Sequence, residues 1–191
     1  MKKLLSILAL SMVMHYATAQ DTVILAPANA EVHGRAANLS IGTAFYGFVG
    51  HPQVQGTLNY EFGIARNMTL APTVGVYTYS DGNYWGDDSH VYKYYTYRET
   101  YVPMGLKVCY YFDELLGVGP RWDFYVGTSA GYVYRSTHWE AGYEGDTTVK
   151  KKMDPYYVGM HLGSEFHLNR TAGVFIDLSN TVSTIGLGIH F

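Results

Sequence analysis

Along residues 53–64 the chain alternates strictly: Val54, Leu58, Tyr60, Phe62 and Ile64 share one parity, and Gln53, Gln55, Thr57, Asn59 and Glu61 share the other. A period of two puts successive side chains on opposite faces of a pleated strand, so this stretch reads as a β-strand with one apolar and one polar face. The pattern recurs. Val102, Met104, Leu106, Val108, Tyr110 and Phe112 oppose Lys107 and Cys109, and Val158, Met160, Leu162 and Phe166 oppose Gly159, His161, Gly163, Glu165 and His167. Val174, Ile176 and Leu178 oppose Asp177, and Ile185, Leu187, Ile189 and Phe191 alternate with Thr184, Gly186, Gly188 and His190. With turn signals between them, eight strands are predicted near 38–48, 53–64, 68–79, 97–112, 122–135, 155–168, 172–179 and 183–191. Every charged residue within a strand core lies on the weaker face.

Composition agrees with strands. The 191 residues include 19 Tyr and 21 Gly against 13 Lys plus Arg, which suits pleated surfaces and turns better than helix interiors. The first residues have a different character. Lys2 and Lys3, an apolar run from Leu4 to Val13 and the small-residue site Ala17-Thr18-Ala19 have the layout of a secretory signal peptide over residues 1–19, with cleavage expected before Gln20. That apolar run is too short to span a bilayer as a helix, and no later stretch approaches the roughly 20 apolar residues required. Loss of Lys2 and Lys3 lowers the formal charge from -3 to -5, so an exported, mildly acidic chain has no electrostatic basis for binding nucleic acid. The sole cysteine, Cys109, has no internal disulfide partner and reads as a small buried side chain on a strand.

Periodicity alone leaves open which face is inside. A soluble lipocalin-like carrier would line a pocket with the apolar face, whereas a transmembrane barrel turns it to lipid. Export, segments long enough for a tilted crossing of roughly 9–11 residues, and aromatics crowded at segment ends favour the membrane. Phe45, Phe48, Tyr77, Tyr79, Tyr110, Tyr111, Phe112, Phe124, Tyr156, Tyr157 and Phe191 are the expected girdle residues. The fold expected is an all-β, eight-stranded antiparallel up-and-down transmembrane β-barrel over residues 37–191, preceded by an N-terminal periplasmic segment, 20–36.

The terminal "IGLGIHF" resembles the closing strand of bacterial outer-membrane barrels, and "YVPMGLKVCYYF" followed by "DFYVGTSAGYVY" is similar to the middle hairpin of the small eight-stranded porin family, or outer membrane protein beta-barrel domain. The resemblance implies residence in the outer membrane, contact with its lipid and lipopolysaccharide, and a monomer. It also implies that Phe191 belongs to the signal read by the barrel assembly machinery. It further implies short periplasmic turns, at 65–67 and 169–171, and long outer connections, at 80–96 and 136–154. The connection 113–121 is longer than such a turn should be.

Among chemical candidates, Glu61, Lys107, His161, Glu165 and Asp177 are expected to form a polar network in the lumen, since Lys107 turned to mid-bilayer would cost about 2–4 kcal/mol. The alternative is a narrow polar pathway for ions. No metal site and no cofactor are expected: His161 and His167 lie about 20 Å apart along one strand at roughly 3.3 Å per residue, and no third ligand for His167 and His190 is evident. Ser179-Asn180 is similar to part of the motif of lipid A deacylase barrels, but Asp177 stands where that motif has His, so the serine lacks a base and no catalytic residue is expected. The acidic stretch with Asp81, Asn83, Asp87 and Asp88 lacks calcium-loop spacing. Lys150, Lys151 and Lys152 are a solvated run or a contact for lipopolysaccharide phosphates. Finally, the fourth and fifth strands continue their alternation past the membrane. They imply a protruding sheet rich in Tyr92, Tyr94, Tyr95, Tyr97, Trp139 and Tyr143, where an extracellular protein partner can add a strand. A structural or adhesion-like protein is therefore expected. A lipid A-modifying enzyme, a narrow pore and a soluble periplasmic carrier are the rivals.

Overall fold

The computed structural model describes residues 34–46, 52–117, 119–147 and 154–191. The expected signal peptide, Phe48 and the run Lys150 to Lys152 lie outside the described residues. Eight strands follow in chain order: β1 (Arg35–Ala44), β2 (Gln53–Ala65), β3 (Met68–Asp87), β4 (His90–Tyr111), β5 (Trp122–Trp139), β6 (Tyr156–His167), β7 (Ala172–Ser179) and β8 (Val182–His190). Each is antiparallel to its neighbours, and the sheet closes on itself as β1 pairs with β8 from Ala36↔His190 to Ala44↔Val182. Phe191 continues this seam by donating its N–H to the Arg35 carbonyl, 2.9 Å away. Closure leaves no unpaired edge in the barrel wall, the condition for a sheet that has to stand in hydrocarbon.

The parity of each strand sets the two faces. Val54, Val158 and Met160 are 70%, 69% and 74% exposed on the outside, and Leu39, Leu58, Leu106, Leu162, Ile176, Leu178, Ile185 and Leu187 join them in a continuous apolar belt. Asn59, Glu61, Lys107, Glu165 and Asp177 are buried within. A soluble monomer seldom leaves an apolar patch larger than a few hundred Å² open to water. An apolar outside around a polar inside is the arrangement of a transmembrane β-barrel. Among the described residues no helix is long and apolar enough to cross a membrane; the crossing is made by strands.

Strand ends differ from the alternation in physically legible ways. β1 runs Arg35–Ala44 rather than 38–48 because its pairing is bounded by β2: Arg35 meets Phe62 at one end, and Ala44 meets Gln53 at the other. Arg35 and Ala36 thus belong to the barrel, two residues before the expected boundary. β3, β4 and β5 run well beyond the other strands, with β3 and β4 paired as far as Asp87↔His90 and β4 and β5 as far as Tyr97↔Trp139. The long 113–121 connection contains one helical turn, Asp113–Leu116, closed by Gly117 at φ +60°.

The girdle requires a correction. Tyr77 and Tyr111 are only 4% and 6% exposed and point inward, and Tyr157 packs against the interior cluster. Their parity is that of the polar face, and parity outweighs proximity to a strand end. The outward aromatics include Tyr60, Phe62, Phe112, Trp122, Phe124 and Phe166 at the end that carries the short turns. Trp122 stacks on Phe124 at 5.9 Å and touches Phe166 at 4.9 Å. Tyr132 and Tyr156, 5.6 Å apart, mark the opposite rim.

Candidate functional site

The interior is built in layers. Nearest the long hairpins, Tyr77 stacks on Tyr101 at 4.8 Å and on Tyr46 at 6.2 Å, while Tyr157 meets Tyr46 edge-on. Ala44 and Val133 complete this aromatic plug. Beside it the Tyr101 hydroxyl donates to Glu99 at 2.6 Å, and Arg135 pairs with the same carboxylate.

At mid-height Asp177, on β7, gathers three partners. Lys107 Nζ lies 2.5 Å from its Oδ2, the Tyr125 hydroxyl donates to that oxygen at 2.8 Å, and His161 Nδ1 is 2.8 Å from Oδ1. His161 Nε2 in turn meets Ser129 Oγ at 2.8 Å. Lys107 also lies over the Tyr125 ring, 4.5 Å from its centre. Below this layer, Glu61 accepts from Thr69 and from the Tyr111 hydroxyl, the latter at 2.5 Å, and also from Asn38. At the short-turn end His190 Nε2 meets Glu165 Oε1 at 2.7 Å, and His167 Nε2 meets Asp123 Oδ2 at 2.8 Å.

The five residues expected to share one network therefore all face inward but divide into three groups. Lys107, His161 and Asp177 are joined; Glu61 and Glu165 each have separate partners. Sequence reasoning missed Ser129, Tyr125, Tyr111, Asn38 and Thr69, all of which the inward parity of their strands marks out. It also missed the third group beside His167 and His190. Glu165 stands there, with one ligand-capable atom from each of the three within 4.8 Å of the others. Alternation alone places Glu165 in the lumen, and only the fold brings it opposite His190.

Serine, imidazole and carboxylate in line are the parts of an acyl-transfer triad. Ser129, His161 and Asp177 have this order, but Lys107 already neutralises the carboxylate and Ser129 is only 5% exposed. These groups face a cavity of about 50 Å³, where one water needs roughly 10–15 Å³. A few waters fit; an acyl chain does not. Ser179, the residue resembling the deacylase motif, bonds Thr181 Oγ1 at 2.9 Å, and the Asp177 carboxylate is engaged by Lys107, Tyr125 and His161.

Beyond the membrane, the β3–β4–β5 extension has two unlike faces. On the inner face Trp139 stacks on Tyr143 at 4.0 Å and touches Tyr97 at 4.7 Å, and Tyr143 lies 5.4 Å from Tyr95 and 5.6 Å from Trp85. Tyr95 is 5% exposed. Of the residues expected to meet a partner, Tyr95, Tyr97, Trp139 and Tyr143 form this small core instead. Tyr92 and Tyr94 occupy the outer face together with Tyr84, which stacks on Tyr92 at 5.7 Å and meets Tyr94 edge-on at 5.0 Å.

The hairpin tip is held by local polar bonds. The Asp87 carboxylate meets His90 Nδ1 and accepts the Ser89 N–H, each at 2.8 Å, and the His90 bond is the chief cause holding its carboxyl below the usual range. A depressed folded-state pKa gives a contribution present above the unfolded value and lost as pH falls through the folded one. Amide exchange at Ser89 and His90 should therefore be slow at neutral pH and accelerate beyond its intrinsic trend once the pH drops below the ordinary carboxylate range. An Asp87→Asn chain should lack that pH step.

The fold and the filled interior define the class: a closed eight-stranded transmembrane barrel with an ion-paired core. No family model matches the chain, and no curated protein matches it in sequence. Similar solved structures include a de novo designed transmembrane β-barrel, with TM-score 0.48 and 12% identity over 84% of this chain and 98% of that one. Ail, the attachment invasion locus protein of Yersinia pestis, solved with the heparin analogue sucrose octasulfate, aligns at TM-score 0.47 and 8% identity over 83% and 99%. Neisserial surface protein A aligns at 0.45 and 12% over 82% and 95%.

Proposed function

We propose that the chain is an outer-membrane scaffold whose closed lumen holds a rigid platform, and whose working surface is the protruding β3–β4–β5 sheet, binding an extracellular protein. The observation that carries this reading is the outer-face ladder of Tyr84, Tyr92 and Tyr94, which are 65%, 70% and 46% exposed. Amphipathic aromatic rings held on a strand present large contact area at little cost in conformational entropy. Beside them runs an edge for strand addition: among the described residues β3 pairs with β2 only as far as Gly56↔Val76, so its continuation to Asp87 has a ladder partner on one side. Within the barrel the stacked tyrosines and the Lys107–Asp177 layer leave little room for a solute, which favours a scaffold over a pore. A place in the outer membrane accords with the apolar belt and the short turns.

Cells displaying the chain should adhere to immobilised extracellular matrix protein more than cells lacking it. Deleting residues 83–94 should abolish the difference, and Tyr84→Ser with Tyr92→Ser and Tyr94→Ser should remove most of it. Assembly is checked by gel mobility with and without boiling. Adhesion retained by the assembled triple variant would refute the assignment of this face.

A further inference from the structure

We propose that Glu165, His167 and His190 form a binding site for a zinc-type divalent ion at the short-turn end of the barrel. The three belong to β6 and β8, with β7 between them, and each offers a ligand atom within 4.8 Å of the others. Ligands at about 2.0–2.1 Å from a tetrahedral ion stand roughly 3.3–3.5 Å apart, so the Glu165–His190 pair, now 2.7 Å apart, has to open and any wider pair has to close, each by roughly 1 Å of side-chain movement. Two imidazoles and one carboxylate suit zinc, cobalt or nickel, whereas magnesium and calcium favour all-oxygen sets.

Two further features belong to a built site. The first is the bare backbone across which the ligands meet. A Cβ at Gly173 would overlap Glu165 Oε1, and one at Gly188 would lie 2.7 Å from the same atom and 3.3 Å from His190 Nε2. Both glycines sit between β6 and the end of β8, paired as Gly173↔Gly188, and any side chain there would fill the space the ligands use. The second is Asp123. It lies 2.8 Å from His167 Nε2, the carboxylate–imidazole contact that orients metal-ligating histidines, and with that contact kept Nδ1 would be the nitrogen to hold the ion. Glu165 is largely buried while the His167 and His190 side chains keep about a fifth of their surface, so solvent reaches the site from one side. That side provides the fourth position, for water. On binding, the ion takes the place of the proton now shared between His190 Nε2 and Glu165 Oε1.

The test uses the full chain folded in detergent micelles, with Co2+ and Zn2+ as the probes. One Co2+ per chain should give the visible bands of a tetrahedral site, and Zn2+ should displace it. Glu165→Gln and His190→Ala should each weaken binding at least tenfold, and Asp123→Asn about 10–100-fold. His190→Gln keeps a donor for Glu165 but removes the imidazole, so it should bind as poorly as His190→Ala while folding like the parent. His138→Ala, on the outward face of the extension, should leave binding unchanged. No stoichiometric binding by the folded chain, or equal affinity in the His138→Ala and His190→Gln chains, would overturn the proposal.

Discussion

Asp177→Ala should destabilise the folded barrel by about 3–5 kcal/mol, because it strands the Lys107 ammonium in the interior without its counter-ion. The carboxylate serves Lys107, Tyr125 and His161 at 2.5–2.8 Å, so one truncation removes every strong acceptor of the mid-height layer. The unpaired charge left behind costs more than the lost hydrogen bonds. It follows that Lys107→Met combined with Asp177→Leu should be much less damaging than Asp177→Ala alone, since apolar replacement of a buried pair removes the desolvation cost with the attraction. Urea titration of the chain refolded in lipid vesicles gives both values. An Asp177→Ala chain as stable as the parent, or a double variant worse than the single one, would contradict the reading of this layer.

A second large effect is expected on the outside. Leu106 sits at mid-height on the lipid face, paired between Pro72 and Ala130, and is 53% exposed. Leu106→Arg should cost about 2–4 kcal/mol, while Tyr110→Arg, closer to the headgroups at the end of the same strand, should cost about 0–1 kcal/mol beyond the loss of its ring contacts. The gradient with depth is the signature of a bilayer. A water-soluble barrel would show none, so equal penalties at the two positions, measured in the same vesicles, would count against the lipid-facing belt.

Much of this architecture is legible in the residues because a period of two is unambiguous. Strand number and the sorting of Glu61, Lys107 and Asp177 onto one face and of Leu58, Leu106 and Leu162 onto the other follow from parity, while export, segment length and aromatic ends pointed to which face turns inward. What parity does not encode is the register between strands. Glu165 meets His190, and Ser129 meets His161, only because of how far each strand slides past its neighbours. The aromatic residues are ambiguous for a related reason: a tyrosine satisfies an interface, a plug or a protein surface equally well. Tyr77 and Tyr111 lie inside, Tyr95 and Trp139 join a local core, and Tyr84 stands on the outer face with nothing in the alternation to single it out.

The seam between Arg35–Ala44 and Val182–His190 has a kinetic consequence. Its two strands stand at opposite ends of the barrel sequence and must find one another before the wall is continuous, and contacts of such separation are slow to form because the intervening chain loses much freedom first. Hairpins such as β3–β4 can zip early from their tip, yet none of them is complete in lipid until the seam joins. Insertion is thus governed by the slowest and most non-local event, and substitutions at Leu39, Ile41, Ile185 or Leu187 should slow barrel formation more than they weaken the finished protein.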